Sequence, residues 1–368
     1  VRIGIVCYPT YGGSGAVATE LGLALAERGH EVHFISYAQP FRLRGFNERV
    51  TFHEVKIGSY PLFEHPPYSL ALAVMLHEVA LKERLDVLHA HYAIPHATAG
   101  WMAKQLLEEE GKELAVVTTL HGTDITLVGQ DPSYYTITKF SIEHSDAVTA
   151  VSAYLREETY RAFGCTGCGI QVIPNFVSLE AFHPPAQRCT GDKVLMHISN
   201  MRPVKRLLDV VHIFARVREK VPARLVLVGD GPERDTAERE VERLKLKGKV
   251  RFLGKVEDVA QALRSADLYL LPSQTESFGL SALEALATGV PVVGTRVGGL
   301  SEVVEHGVSG HLGEVGDVEG LAAGAVELLA DEDRWRAASV AARQRAALFA
   351  TERVMPLYEE LYASVAGG

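Results

Sequence analysis

Glu276-Ser-Phe-Gly-Leu-Ser-Ala-Leu-Glu284 is the stretch whose reading decides the fold. The apolar run Asp267-Leu-Tyr-Leu-Leu-Pro-Ser273 enters it as a strand, and Gly279 marks a turn. A helix from about Leu280 then carries Glu284 on its second turn and ends at Thr288-Gly289, because helices commonly stop before such a glycine. Pro291 opens the next strand, Val290-Pro-Val-Val-Gly294. In open α/β sheets, ligands bind beyond the carboxyl ends of strands, where helix N-termini leave N–H groups unpaired. The amides of Phe278, Gly279 and Leu280 suit a phosphate there. Two carboxylates beside a phosphate repel it, but each accepts hydrogen bonds from sugar or ribose hydroxyls. The stretch therefore reads as a nucleotide-sugar pocket. A Glu-x7-Glu spacing alone is more often a capped surface helix with two solvated glutamates, and the strand–glycine–helix setting reverses that balance.

A chain of 368 residues, 47% hydrophobic, has room for two ordinary domains. A net charge of −9 argues against a nucleic-acid partner and against a polybasic membrane surface. No apolar run approaches the roughly 20 residues that span a bilayer. Val1-Arg-Ile-Gly-Ile-Val6 reads as a first strand rather than a leader, so a cytoplasmic location is expected. Of four cysteines, only Cys165 and Cys168 have redox or metal spacing, and Cys7 and Cys189 offer no second ligand pair. Reduced thiols in a loop are expected.

The first half alternates strands and helices. Strand Arg2–Cys7 leads to Gly12-Gly13-Ser14-Gly15, a helix from about Ala16 to Arg28, and strand Glu31–Ser36. A dinucleotide fingerprint needs Gly-x-Gly-x-x-Gly and an acidic residue closing the second strand. This loop is spaced differently and the strand closes with Ser36-Tyr37, which disfavours a nicotinamide cofactor. The glycines still allow close approach to a ligand, and Ser14 adds a hydroxyl; a tight turn packed on the sheet explains them as well. Strand Val50–Val55, a Pro- and aromatic-rich link over 60–68, and an apolar helix over about 69–83 follow. That helix, with Leu70, Leu72, Val74, Met75 and Leu76, is apolar over a wide arc, which core burial explains by default and a homodimer interface in the alternative. Strand Asp86–His91 is followed by Tyr92 and His96, and strand Val116–Leu120 by His121-Gly-Thr-Asp124. The histidines come from different strand ends without the helical His-x3-His spacing of zinc enzymes, so no metal is expected. Gly122 turns the chain and leaves His121 at the ligand-binding end of its strand. Helices over 133–145 and 153–163 and strands Ala147–Val151 and Ile170–Val177 complete the half.

The pattern restarts at Lys193. Strand Lys193–Ser199 runs into Asn200-Met-Arg-Pro-Val-Lys-Arg206, where Arg202, Lys205 and Arg206 form either an anion site or a solvated basic turn. Val228-Gly-Asp-Gly-Pro232 ends the next strand, and Gly298-Gly299 follows the Val290–Gly294 strand as a second close-approach loop. Amphipathic helices cover about 317–329 and 332–349. A last one over 351–365 places Val354, Leu357, Tyr358, Leu361 and Tyr362 at helical spacing.

Taken in order, these motifs together with Val172-Ile-Pro-Asn175 resemble the family 4 retaining glycosyltransferases, and the match runs over nearly the whole chain. The resemblance implies an α/β, GT-B fold: two Rossmann-like parallel-sheet domains facing a cleft, with a C-terminal helix crossing back to the first. The domains implied are residues 1–182 with helix 351–368 for the acceptor, a linker at 183–192, and 193–350 for the nucleotide sugar. Thr119–Thr126, Tyr60–Tyr68 and Ile198–Arg206 are most similar to the members that transfer GlcNAc from UDP-GlcNAc to the hydroxyl of L-malate, in bacillithiol biosynthesis. The resemblance gives catalytic roles to His121, Glu276, Arg202 and Lys205. It assigns the donor to Gly13, Asn200, Arg206, Phe278, Gly279, Leu280 and Glu284, with Glu284 on the ribose diol. Ser14, Tyr92, Thr123 and Lys139 are candidates for the acceptor, because malate brings two negative charges. The family commonly has Arg where this chain has Asn200, and Ile-Pro where it has Leu300-Ser301. No Asp-x-Asp metal motif is evident, so cations are expected to replace a divalent ion and no cofactor is implied. The alternatives are another soluble acceptor such as an inositol phosphate, a UDP-GlcNAc epimerase of like architecture, and a nucleotide-sugar binding module without turnover.

Overall fold

The computed structural model describes residues 1–10, 12–58, 64–165, 168–187 and 191–366. Residues 60–63 of the aromatic link, Tyr11 of the first glycine loop, Thr166-Gly167 and Cys189 lie outside the described residues. The chain divides into two compact units, Val1–Asn175 with Glu352–Gly368, and Phe176–Thr351.

The first unit is built on seven parallel strands: β1 (Arg2–Val6), β2 (Glu31–Ser36), β3 (Val50–Glu54), β4 (Val87–His91), β5 (Ala115–Leu120), β6 (Ala147–Ala150) and β7 (Ile170–Val172). Their order is β3-β2-β1-β4-β5-β6-β7. Helices α1 (Gly13–Glu27), α2 (Tyr68–Glu83), α3 (Thr98–Glu109), α4 (Thr123–Thr126), α5 (Tyr135–Glu143) and α6 (Ala153–Phe163) connect them. The central strands β1, β4 and β5 are buried along nearly their whole length, because a parallel sheet covered by helices is buried on both faces. α2 turns Leu72, Ala73, Leu76, Val79 and Ala80 into a core shared with Ile35 and Leu88, and leaves Leu70 and Val74 exposed.

The second unit has six parallel strands: β8 (Lys193–Ile198), β9 (Ala223–Val228), β10 (Val250–Gly254), β11 (Leu268–Leu271), β12 (Val292–Thr295) and β13 (Gly310–Gly313). They are ordered β10-β9-β8-β11-β12-β13. Its helices are α7 (Leu207–Arg218), α8 (Arg234–Arg243), α9 (Val259–Arg264), α10 (Leu280–Ala287), α11 (Leu300–Val303), α12 (Val318–Leu329) and α13 (Glu332–Ala346). Leu207, Val210 and Phe214 of α7 pack with Leu225 and Leu227 of β9, Leu321 and Ala325 of α12, and Trp335.

The last helix, α14 (Thr351–Ala366), buries Val354, Met355, Tyr358, Leu361 and Tyr362. It is tied to the first unit by a polar ladder inside the sheet. The Tyr362 hydroxyl and His89 Nδ1 are 2.7 Å apart, His89 Nε2 and Thr119 Oγ1 2.7 Å, and Thr119 Oγ1 and Thr149 Oγ1 2.6 Å. At its margin, Glu359 receives hydrogen bonds from Arg28 and contacts His30. His89 is an imidazole on a fully buried strand, and both its nitrogens are satisfied, as burial requires.

Two differences from the sequence pattern have physical reasons. α1 begins at Gly13, three residues early, because Ala16 N already donates to the Gly12 carbonyl at 3.0 Å, in a turn where a Cβ at Gly15 would lie 2.6 Å from the Tyr8 carbonyl. β7 ends at Val172, two residues before Pro174, which has no N–H to continue the ladder. Cys165 and Cys168, expected as thiols in a loop, have Cα atoms 5.9 Å apart. Among the described residues, no helix is long and apolar enough to cross a membrane.

Removing the Tyr362 hydroxyl leaves a buried imidazole nitrogen without its partner. Tyr362→Phe is expected to lower stability by about 1–3 kcal/mol, read as a drop in the urea midpoint at pH 7.5.

Candidate active site

Strand order reverses between β1 and β4 in one sheet and between β8 and β11 in the other. These are topological switch points, where connections leave in opposite directions and open a crevice beyond the carboxyl ends. Most of the residues singled out by the sequence follow those strands, while His121 and Thr123 follow β5 and Lys139 lies on α5.

In the second unit, the turn after β8 carries Asn200, Arg202, Lys205 and Arg206. Met201 and Arg206 both adopt positive φ, 43° and 50°, without being glycine. The turn holds because neighbours fit it closely. Ser199 Oγ accepts from Met201 N at 3.1 Å and contacts His197 Nε2 at 2.8 Å, while His197 Nδ1 lies 2.8 Å from the Leu270 carbonyl. Burial lowers His197 to about 4, so this ring stays neutral at pH 7. The Gly229-Asp-Gly231 segment of the next loop lies directly against the turn. A Cβ at Gly229 would be 1.8 Å from the Ser199 carbonyl oxygen, and one at Gly231 would be 1.9 Å from that of Asn200.

The loop after β11 is joined to the basic turn twice. Gln274 N donates to the Val204 carbonyl at 2.8 Å, and Lys205 Nζ donates to Glu276 Oε1 at 2.6 Å. Ser273 Oγ donates to the same carboxylate oxygen at 2.7 Å. The Glu276 carbonyl accepts from Gly299 N at 2.9 Å, and Gly299 sits where a Cβ would lie 2.2 Å from the Ser277 carbonyl oxygen. Gly279, with φ 94°, then starts α10. Among the described residues, the amides of Phe278, Gly279 and Leu280 have no backbone acceptor. Glu284 is buried on α10, and Glu276 is buried in the loop before it. Arg206 Nε donates to Asp209 at 2.6 Å, while Arg202 is exposed and has no carboxylate partner among the described residues.

In the first unit, Gly13 and Ser14 form the first turn of α1 after β1, Tyr92 follows β4, and His121 and Thr123 follow β5. Tyr92 has φ 93°, a position that costs a non-glycine residue about 1–3 kcal/mol and that clusters at functional sites. Its ring lies 5.3 Å from that of His121 and 5.4 Å from that of Tyr8. His121 Nε2 is 2.8 Å from His91 Nδ1. Asp124, which sequence reasoning quoted without a role, pins the turn. Its Oδ1 accepts from the backbone N of His121 and Gly122 at 3.2 and 2.8 Å, and its Oδ2 from Ala93 N at 3.2 Å. His91 was read only as one of several polar strand-end histidines, and its contact with His121 depends on strand pairing that no local motif reveals. Lys139 stands apart on α5, paired with Glu143 at 3.7 Å.

Family models match both halves of the chain, Glycosyltransferase Family 4 over residues 11–181 and Glycosyl transferases group 1 over residues 180–345. The N-acetyl-alpha-D-glucosaminyl L-malate synthase of Bacillus anthracis is 47% identical over 99% of this chain and 97% of that protein. The chain belongs to glycosyltransferase family 4. Another family member, the D-inositol 3-phosphate glycosyltransferase of Thermobispora bispora, is 30% identical over 76% of this chain and 70% of its own. Among solved structures, sucrose-phosphate synthase from Thermosynechococcus elongatus superposes with a TM-score of 0.82 at 23% identity, covering 99% of each chain. The fold is thus GT-B, as the motif order predicts, and the chain is a glycosyltransferase.

The histidines of this family 4 chain make the first unit acid-sensitive. Burial lowers His89 and His121 to about 3 and His96 to about 4, and lowers His91 as well. The unfolded chain takes up protons below about pH 6.5 that the folded unit refuses, so this contribution is complete above that pH and is lost on acidification. Asp124, raised by burial to about 6, acts oppositely: its contribution is present below about pH 4 and lost as pH rises through 6. Four imidazoles outweigh one carboxyl. The urea midpoint should fall between pH 6.5 and 4.5, and His96→Gln should flatten that fall by about one proton, roughly 1.4 kcal/mol per pH unit. In the second unit, Gly231→Val drives side-chain atoms into the Asn200 carbonyl. It is expected to destabilise by about 1–3 kcal/mol or more, measured by thermal unfolding.

Proposed function

We propose that the chain transfers GlcNAc from UDP-GlcNAc to the hydroxyl of L-malate, with retention at the anomeric carbon and release of UDP, in the cytoplasm as part of bacillithiol biosynthesis. The observation that carries this reading is the 47% identity to the Bacillus anthracis synthase across nearly the full length of both chains. The strand-end chemistry of each unit supports it.

In this reading, Arg202, Lys205 and Arg206 neutralise the diphosphate with the amides of Phe278, Gly279 and Leu280. Asn200 hydrogen-bonds beside them. Fixed cations and helix-tip amides stabilise the negative charge that develops on the leaving phosphate without reorganising at the moment of reaction. Glu284 accepts the ribose hydroxyls, and Glu276, held by Lys205 and Ser273, accepts from the sugar. Gly13 allows the donor close to the backbone. His121 serves the sugar through Nδ1, since its Nε2 is engaged with His91. Ser14, Tyr92 and Thr123 bind the malate carboxylates, and Lys139, set apart on α5 and paired with Glu143, is the remaining candidate for them. The bond from the anomeric carbon to the β-phosphate oxygen breaks, the malate hydroxyl oxygen bonds to the same face, and the departing phosphate oxygen takes its proton. The cations stand in for a divalent ion at this site.

The test is incubation with UDP-GlcNAc and a panel of hydroxy acids and inositol phosphates, following UDP by chromatography and the product anomer by NMR. UDP release only with L-malate and an α-linked product is the expected result. Turnover with an inositol phosphate alone, or epimerisation without acceptor, overturns the reading. Thr123→Ala and Tyr92→Phe should each raise the malate KM about tenfold and leave the UDP-GlcNAc KM within about twofold. Glu284→Gln should raise the UDP-GlcNAc KM by about 10- to 100-fold, the equivalent of a lost charged hydrogen bond.

A further inference from the structure

Away from the strand ends that carry the candidate active site, the first unit gathers three metal-ligating side chains from three elements. His33 lies on β2, His53 on the edge strand β3, and Glu83 at the last position of α2. Ile35 pairs with His53 across the two strands, so His33, two residues before Ile35, presents its ring to the same face, the one α2 covers. His33 Nδ1 and His53 Nε2 are 3.0 Å apart, and one ligand atom from each of the three residues lies within 4.8 Å of the others.

We propose that His33, His53 and Glu83 form a zinc site that clips the β2–β3 edge of the sheet to the end of α2. Two imidazole nitrogens and one carboxylate oxygen are a donor set that zinc takes, with water completing a tetrahedron. Ligand atoms around tetrahedral zinc sit about 3.3–3.4 Å apart at the usual bond lengths of about 2.0–2.1 Å. The imidazole pair opens by a few tenths of an ångström to reach this spacing, and the carboxylate swings in by rotation of its side chain. Lys82 Nζ competes for Glu83 at 3.1 Å, but its side chain is 80% exposed and withdraws into water without loss of packing. His33 is buried while His53 and Glu83 are half-buried, so the ion has a fixed ligand on the inner side and an entry path on the outer. The site needs β2, β3 and α2 folded together, so the ion stabilises the folded chain by mass action.

The experiment titrates the chelator-treated full-length chain with zinc chloride at pH 7.5 by isothermal calorimetry, with thermal unfolding read in parallel. The expected result is one zinc per chain and a zinc-dependent rise in Tm. His53→Gln and Glu83→Gln, both at half-exposed positions, should each weaken binding by about 100-fold and remove that rise. Even outer-shell changes at metal sites cost about 10- to 100-fold. Zinc bound equally by wild type and both variants places the ion elsewhere and overturns the proposal. Absence of binding to the wild type also overturns it, leaving a hydrogen-bonded imidazole pair beside a glutamate.

Discussion

The second unit depends on the ion pair between Lys205 and Glu276. It joins the loops that leave β8 and β11 on either side of the switch point. Both side chains are largely shielded, so removing one leaves the other charge poorly solvated, and breaking such a pair is costlier than its net worth. The pairing also decides how charge is distributed before any ligand arrives. Lys205 is neutralised by Glu276, and Arg206 is shared with Asp209. Arg202 is the exposed cation of the turn, and in the transfer proposed above it meets the diphosphate with the α10 amides. Lys205 is held by Glu276 at 2.6 Å and so is oriented before any ligand arrives. That is the electrostatic arrangement a leaving-group-driven transfer requires.

Backbone packing holds this arrangement in place. The basic turn contains two left-handed residues that are not glycine, and such strain persists only when the surroundings over-determine it. Gly229, Gly231 and Gly299 supply that constraint by allowing carbonyl groups to approach where any side chain would collide. The glycines of Val228-Gly-Asp-Gly-Pro232 and Gly298-Gly299 therefore act beneath the site, as supports for Ser199–Asn200 and Glu276–Phe278. The sequence alone suggested a ligand-contacting role for Gly298-Gly299, and in the structure Gly299 supports the backbone at Ser277.

The alternation of strands and helices was legible because apolar runs and glycine stops are local signals. Leu280–Ala287 and Ala153–Phe163 lie within a residue or two of their patterns for that reason. The ends were less legible where tertiary contact set them, as at Gly13 and Val172. β13 (Gly310–Gly313) carries two glycines and a histidine in four residues, too little apolar pattern to announce a strand. Residues that act through partners were invisible. Asp124 matters because three backbone amides converge on it, and His91 because strand pairing sets it beside His121. His33 and His53 stand 20 residues apart and meet only through the register of β2 and β3.

The first unit solves the converse electrostatic problem. Its central strands carry His89, His91 and, just beyond, His121, in rings stacked at 4.4 and 5.1 Å. Charging any one of them would place a cation in a buried stack beside neutral neighbours, and burial pushes all three down so that they remain neutral at pH 7. A neutral imidazole can donate or accept a hydrogen bond without adding positive charge. In the transfer proposed above, the sugar becomes electron-poor as the phosphate departs, and a protonated His121 would oppose that. Stacking His121 on His91, with Tyr362 and Thr119 satisfying His89 behind them, keeps positive charge away from the carboxyl ends of β4 and β5.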